Sequence, residues 1–180
     1  MHKVLYLLGE LNDTDVEWLI ASGVVQRVPV GAAIIEEGQP TKALYIVLAG
    51  ELAASVRALG GKEIGRLVCG AVAGEMSFID GRPPSATVRA REDAQILAIP
   101  RDLLAVKLRQ DTGFAARFYR ALAIFLSNRL RGNIEMLSGT KLPQLDEDIF
   151  DVDEVDSDVM DTLFLAGQRF DRMLKRLTGG

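Results

Sequence analysis

Cysteine and histidine, which carry much of the redox, metal and nucleophilic chemistry of proteins, are nearly missing from this 180-residue chain, which has only Cys69 and His2. One cysteine excludes an internal disulfide and any cysteine-based metal cluster. One histidine beside the N-terminus excludes triads that need a histidine and multi-histidine metal sites. Cys69 follows the apolar pair Leu67-Val68 and reads as a buried, inert thiol. Long apolar runs are also absent. Ala43–Ala49 stops at Gly50-Glu51, far short of the ~20 residues that cross a bilayer. Val4–Leu8, followed by Glu10, is too short for the apolar centre of a signal peptide. No kinase signature, channel span or other catalytic constellation is present, so the expectation is a cytoplasmic protein that is not an enzyme and has no transmembrane segment.

A basic excess is lacking too. The net charge is −4, from 21 basic and 25 acidic residues. Nine of the acids and no base lie in 144–161 (QLDEDIFDVDEVDSDVMD), whereas 162–180 hold four bases and one acid. Residues 1–143 are then left near +2, with 17 bases and 15 acids. A nearly neutral body is not the footprint of a nucleic-acid binder, which carries a basic face. The acidic segment would itself repel phosphates, and only one helix follows it, so DNA is not an expected partner.

What is present is a change of period along the chain. Leu11-Asn12-Asp13-Thr14 offers side-chain oxygens for a helix N-cap, and Val16, Leu19 and Ile20 recur at helical spacing, which predicts a helix over about 13–22. From Val24 to Pro100 the pattern becomes short β-rich runs punctuated by glycine, over 24–29, 32–36, 43–49, 51–58, 62–68, 85–91 and 94–99. Such spacing predicts an antiparallel sandwich or barrel. Gly60-Gly61 reads as a two-residue hairpin turn. Lys42–Leu48 is apolar without alternation, as in a strand covered on both faces.

After Pro100 the pattern is helical: Arg101–Gln110, then a longer helix over 113–138. Phe114, Phe118, Leu122, Phe125, Leu126, Leu130, Ile134 and Leu137 share one side of the second. That stripe is wide enough to pack on the barrel and on a second copy, which predicts a homodimer; its aromatics read as core rather than base-stacking groups. Residues 139–156 read as a flexible acidic linker. An amphipathic helix over 157–177 then sets Val159, Leu163, Leu165, Phe170, Met173, Leu174 and Leu177 against Arg169, Arg172, Lys175 and Arg176. The basic side reads as a solvated face or as a docking element for a protein partner.

Two passages carry a resemblance. Ile34-Ile35-Glu36-Glu37-Gly38-Gln39-Pro40-Thr41-Lys42-Ala43-Leu44-Tyr45-Ile46-Val47-Leu48-Ala49-Gly50 has an aliphatic pair, a turn glycine, a run of apolar residues and a closing glycine. Gly74-Glu75-Met76-Ser77-Phe78-Ile79-Asp80-Gly81-Arg82-Pro83-Pro84-Ser85-Ala86-Thr87-Val88 resembles the phosphate-binding cassette of cyclic nucleotide-binding domains. In order and at this separation, the two passages identify residues 1–138 as similar to that family. The resemblance implies a mainly β fold with flanking helices, a jelly-roll-like antiparallel β-roll followed by a long helix and, here, a C-terminal extension.

The same resemblance implies cAMP or cGMP as ligand, with no other cofactor. It assigns a ligand-binding set of Gly74, Glu75, Met76, Ser85, Ala86, Thr87 and Asn133. Gly74 would admit the backbone to the sugar, Glu75 would accept the ribose hydroxyl, and Ser85 and Ala86 would present N–H groups to the phosphate. Thr87 would bond through its hydroxyl, and Asn133 would reach the purine. The sequence departs from the family at Thr41, where a small residue is usual, and at Pro84, where the family places the arginine that pairs with the phosphate. Proline supplies neither charge nor N–H, so Arg82, or Arg89 on the following strand, is the candidate substitute. The implied function is a regulatory module that binds a cyclic nucleotide weakly or in altered fashion and signals through its C-terminal helices. The alternative is a protein–protein adaptor with a vestigial pocket.

Overall fold

Asn12 starts the first amphipathic helix as a complete capping box. Its side chain accepts from the Asp15 amide at 2.9 Å, and the Asp15 carboxylate accepts from the Asn12 amide at 3.0 Å. The computed structural model describes residues 4–138 and 157–179, with the side chains of 128–129, 132–138 and 157–161 outside that description. The helices are α1 (Val4–Glu10), α2 (Asp13–Ser22), α3 (Glu75–Asp80), α4 (Arg101–Gln110), α5 (Thr112–Ser138) and α6 (Ser157–Thr178). Replacing Asn12 with alanine removes the box and is expected to cost about 1 kcal/mol, read as a lower midpoint in urea denaturation.

The strands are β1 (Val24–Val28), β2 (Ala33–Ile35), β3 (Ala43–Ala49), β4 (Leu52–Val56), β5 (Lys62–Leu67), β6 (Val72–Ala73), β7 (Thr87–Ala90) and β8 (Ala94–Pro100). They form two four-stranded antiparallel sheets in the orders β1-β8-β3-β6 and β2-β7-β4-β5. The sandwich expected from the glycine-punctuated runs is therefore present. The apolar run in β3 has a direct cause. Leu44, Ile46 and Leu48 join a core shared with the helices, while Ala43, Tyr45 and Val47 join the core between the sheets. A strand with an apolar layer on each side has no reason to alternate.

Several short features were not expected. α1 is a nearly all-apolar seven-residue helix whose Val4 amide donates to Gly70 O at 2.6 Å, and β6 has only two residues. The Gly60-Gly61 hairpin is longer than a two-residue turn. Its glycines do take φ values of 67° and 77°, but the connection runs from Arg57 through a 3-10 turn, because Val56 pairs with Lys62. Cys69 is half-buried, its thiol donates to Leu48 O at 3.1 Å, and burial raises its pKa, which keeps it protonated.

Phe114, Phe118, Leu122 and Phe125 of α5 are buried, but Leu130 is 61% exposed, so the helix leaves the core before its end. Ile134 and Leu137 lie outside the described side chains. The C-terminal helix differs most from expectation. Its buried side is Ala166-Phe170-Met173, which joins the helical core, and Leu165 falls outside that register and is exposed. Its arginines are paired with α2, Arg169 largely buried and Arg172 and Arg176 about half exposed. Arg169 pairs with Asp13 at 2.7 Å, Arg172 approaches Asp13 at 3.5 Å, and Arg176 pairs with Glu17. The Arg169 hydrogen bond and charge hold the Asp13 carboxyl below its ordinary pKa of 3.8. The pairing is thus complete above the ordinary carboxylate range and is lost as pH falls through that lowered value. The Val159 side chain and the acidic segment 139–156 lie outside the description.

Candidate ligand site

A cavity of about 590 Å³ lies inside the roll, walled by sheet residues, by the segment from Val72 to Ala86 and by Phe125 of α5. Gly74 turns the chain from β6 into α3 with φ of 91°. A Cβ there would stand 2.8 Å from Ala43 O and 3.2 Å from Thr41 Cγ2. Only glycine meets both constraints, since the conformation and the space independently exclude a side chain. The turn places Glu75 in the first turn of α3 with only 3% of its surface exposed, beside Met76 on the wall. Thr41 has a buried hydroxyl that no hydrogen bond reaches among the described residues.

Of the expected binding set, Gly74, Glu75, Met76, Arg82, Ser85 and Ala86 all border this one cavity. Thr87 does not. Val88 points into the cavity, so its strand neighbours Thr87 and Arg89 face away. The Thr87 hydroxyl accepts the Glu37 amide at 3.1 Å, and Arg89 donates to Gly31 O. Neither Thr87 nor Arg89 is therefore among the residues that line this cavity. Asn133 lies outside the residues whose side chains are described.

Pro84 borders the cavity, and its carbonyl accepts the Gly38 amide at 2.9 Å, which ties the cassette to the turn after β2. Arg82 is a poor substitute as it stands. Its side chain is 85% exposed and lies 3.9 Å from Asp80, whose carboxylate also accepts the Arg82 amide at 3.0 Å. Sequence reasoning missed the β5 wall of Ile64, Gly65, Arg66 and Leu67, with Arg66 65% exposed and 3.7 Å from Glu51, and it missed Phe125 as a lining residue. A Cβ on Gly65 would meet nothing within 4 Å, so this stretch of wall leaves open space beside Ala54. β5 reads as generic β pattern, and nothing local marks it as a wall of the cavity that the Gly74 turn also lines.

Two rings connect the cassette to the long helix. Phe78 of α3 meets Phe118 of α5 edge-on at 6.0 Å, and Phe118 stacks on Phe114 at 5.6 Å. Arg101 sits over the Phe78 ring at 5.2 Å. Arg117 of α5 is held on α2 by a two-pronged bond to Asp15, at 2.6 and 3.0 Å, which raises the arginine's pKa.

The two-sheet roll thus carries a cavity bordered by the short helix α3 and by Phe125 of the long helix α5. Residues 25–111 match the family model described as cyclic nucleotide-binding domain. A cGMP-dependent protein kinase of Eimeria tenella is 37% identical over 81 residues, which is 45% of this chain and 8% of that protein. A cAMP-dependent protein kinase regulatory subunit of Aspergillus fumigatus is 35% identical over 78 residues, 42% of this chain and 18% of that protein. The chain thus matches less than a fifth of the length of either curated relative. Among solved structures, a cyclic nucleotide-binding domain from Methylobacillus flagellatus KT superposes with a TM-score of 0.68 at 24% identity, covering 79% of this chain and 85% of that one. Residues 25–111 therefore belong to the cyclic nucleotide-binding domain family. Among the described residues, no helix is long and apolar enough to cross a membrane.

Proposed function

We propose that this chain is a non-enzymatic regulatory module whose cavity takes a cyclic mononucleotide weakly, and whose response is read out through α5 and α6. The observation that carries this reading is the convergence of Gly74, buried Glu75, Ser85 and Ala86 on one cavity of about 590 Å³. A buried carboxylate suits a sugar hydroxyl donor, because an ionised carboxylate only accepts hydrogen bonds. The weakness follows from Pro84 and from the outward position of Arg82. Ligand at the cassette would act on α5 through Phe78 and Phe118, and on α1 through the bond from Val4 to Gly70, just before β6. A homodimer through the exposed Tyr119 and Leu130 side of α5 fits the same reading.

The adaptor reading is favoured by one observation, that the cassette's Arg82 has an 85% exposed side chain and lies beside Asp80. Titration calorimetry with cAMP and cGMP separates the two. We expect binding in the micromolar range or weaker, reduced at least about tenfold by Glu75→Ala, as one lost hydrogen bond to a charged group implies. Heat of binding that is absent at millimolar nucleotide would leave the adaptor; binding that Glu75→Ala leaves unchanged would mean the cavity is not the site.

A further inference from the structure

We infer that α1 and α6 form one detachable unit, a strap that leaves the rest of the molecule without unfolding the two-sheet sandwich. α6 packs mainly on α1, with a smaller contact to α2. The helices approach closely at Gly9, where a Cβ would meet Thr162 Cγ2 at 3.0 Å and Ala166 Cβ at 3.8 Å. Arg169, with only 14% of its side chain exposed, donates to Leu8 O at 2.8 Å as well as to Asp13. Leu8 lies in the last turn of α1, where carbonyls lack helical partners, so α6 completes the end of α1.

Each helix depends on the other. A helix of seven residues is too short to persist alone, and Arg169 would lose its Leu8 partner if α1 melted, keeping only Asp13 of α2. The core between the sheets contains no residue of α1 or α6, and what ties the pair to the rest is α1 packing on α5, the bond from Val4 to Gly70 O and the arginine pairs to α2. The other core holds sheet residues Leu44, Ile46, Leu97 and Ile99 together with Leu19, Leu104, Phe114 and Phe118, which belong to neither α1 nor α6. The outer pairs, Arg172 with Asp13 and Arg176 with Glu17, are exposed and therefore screened by salt. Such a unit is the kind that opens sub-globally at lower free energy than the core. Its opening uncovers Phe170 and Met173 on one side and Leu7 and Leu8 on the other. The inference stands whether or not a nucleotide binds.

Hydrogen exchange of the full chain, followed by mass spectrometry, tests it. We expect the amides of α1 and α6 to exchange in step and at least about tenfold faster than those of β3 and β8. Arg169→Ala and Gly9→Leu should each accelerate α1 and α6 together by about a further tenfold, with β3 and β8 unchanged. Gly9→Leu is informative because leucine favours a helix over glycine, so faster exchange there reports the lost contact with α6. Protection of α6 equal to that of β3 overturns the inference. So does α6 exchanging while α1 keeps the protection of the sandwich, or variants that accelerate β3 equally.

Discussion

Phe118→Ala is expected to lower the unfolding free energy by about 3–5 kcal/mol, the range for removing a buried phenylalanine ring. The ring is fully buried, stacks on Phe114 and receives the edge of Phe78, so its loss opens a cavity between α5, α3 and the outer face of the first sheet. For a chain of this length the midpoint should fall by roughly 6–20 °C. Phe118→Leu keeps most of the volume and should cost less than about 1.5 kcal/mol. Calorimetry or urea unfolding measures both. A loss below about 1 kcal/mol for Phe118→Ala would mean that α5 is not seated on the core as described. The cost also decides how the cassette communicates. If Phe118 joins α3 to α5, then Phe118→Leu should leave the fold intact but weaken the response of α5 to anything bound at Glu75.

The legibility of this protein in its sequence follows the range of the interactions involved. β3 could be read because its environment is written locally: with apolar layers on both sides, every residue from Ala43 to Leu48 is apolar. α2 could be read because its cap lies within four residues, Asn12 to Asp15. α1 and β6 could not, because neither holds enough residues to show a period, and α1 is stabilised by contacts with α5 and α6 rather than by its own sequence. The docking of α6 was hidden for the same reason. Arg169, Arg172 and Arg176 look like a solvated face until Asp13 and Glu17, more than 150 positions away, are brought beneath them.

The site divides in the same way. Gly74, Glu75, Ser85 and Ala86 lie in one stretch and converge as that stretch implies. The β5 wall and Phe125 come from elements whose sequence gives no hint of a cavity. Thr87 and Arg89 were legible in principle. Once Val88 is assigned inward, strand alternation sends both outward, and no further information is needed.

Pro84→Arg is expected to raise affinity for cAMP or cGMP by about tenfold to a hundredfold, since a charge-assisted bond to phosphate contributes about 1.5–3 kcal/mol and each 1.4 kcal/mol is one decade. Pro84 borders the cavity directly before Ser85, so an arginine built there starts beside the expected phosphate amides, whereas Arg82 at the cavity's border has a largely exposed side chain beside Asp80. The backbone contact should survive, because the bond from Gly38 is accepted by the carbonyl of residue 84, which substitution does not remove. The fold should lose only about 0.4–1 kcal/mol, the entropic advantage of proline in the unfolded chain. Affinity would thus rise while thermal stability falls slightly, a combination that general stabilisation of the cassette could not produce. Titration of Pro84→Arg and of the double variant Pro84→Arg/Glu75→Ala provides the check. If the added arginine binds phosphate in this cavity, removing Glu75 should take back at least about tenfold of the gain. An unchanged affinity in Pro84→Arg would show that the phosphate does not lie against this wall, and that the cassette positions a ligand of another shape.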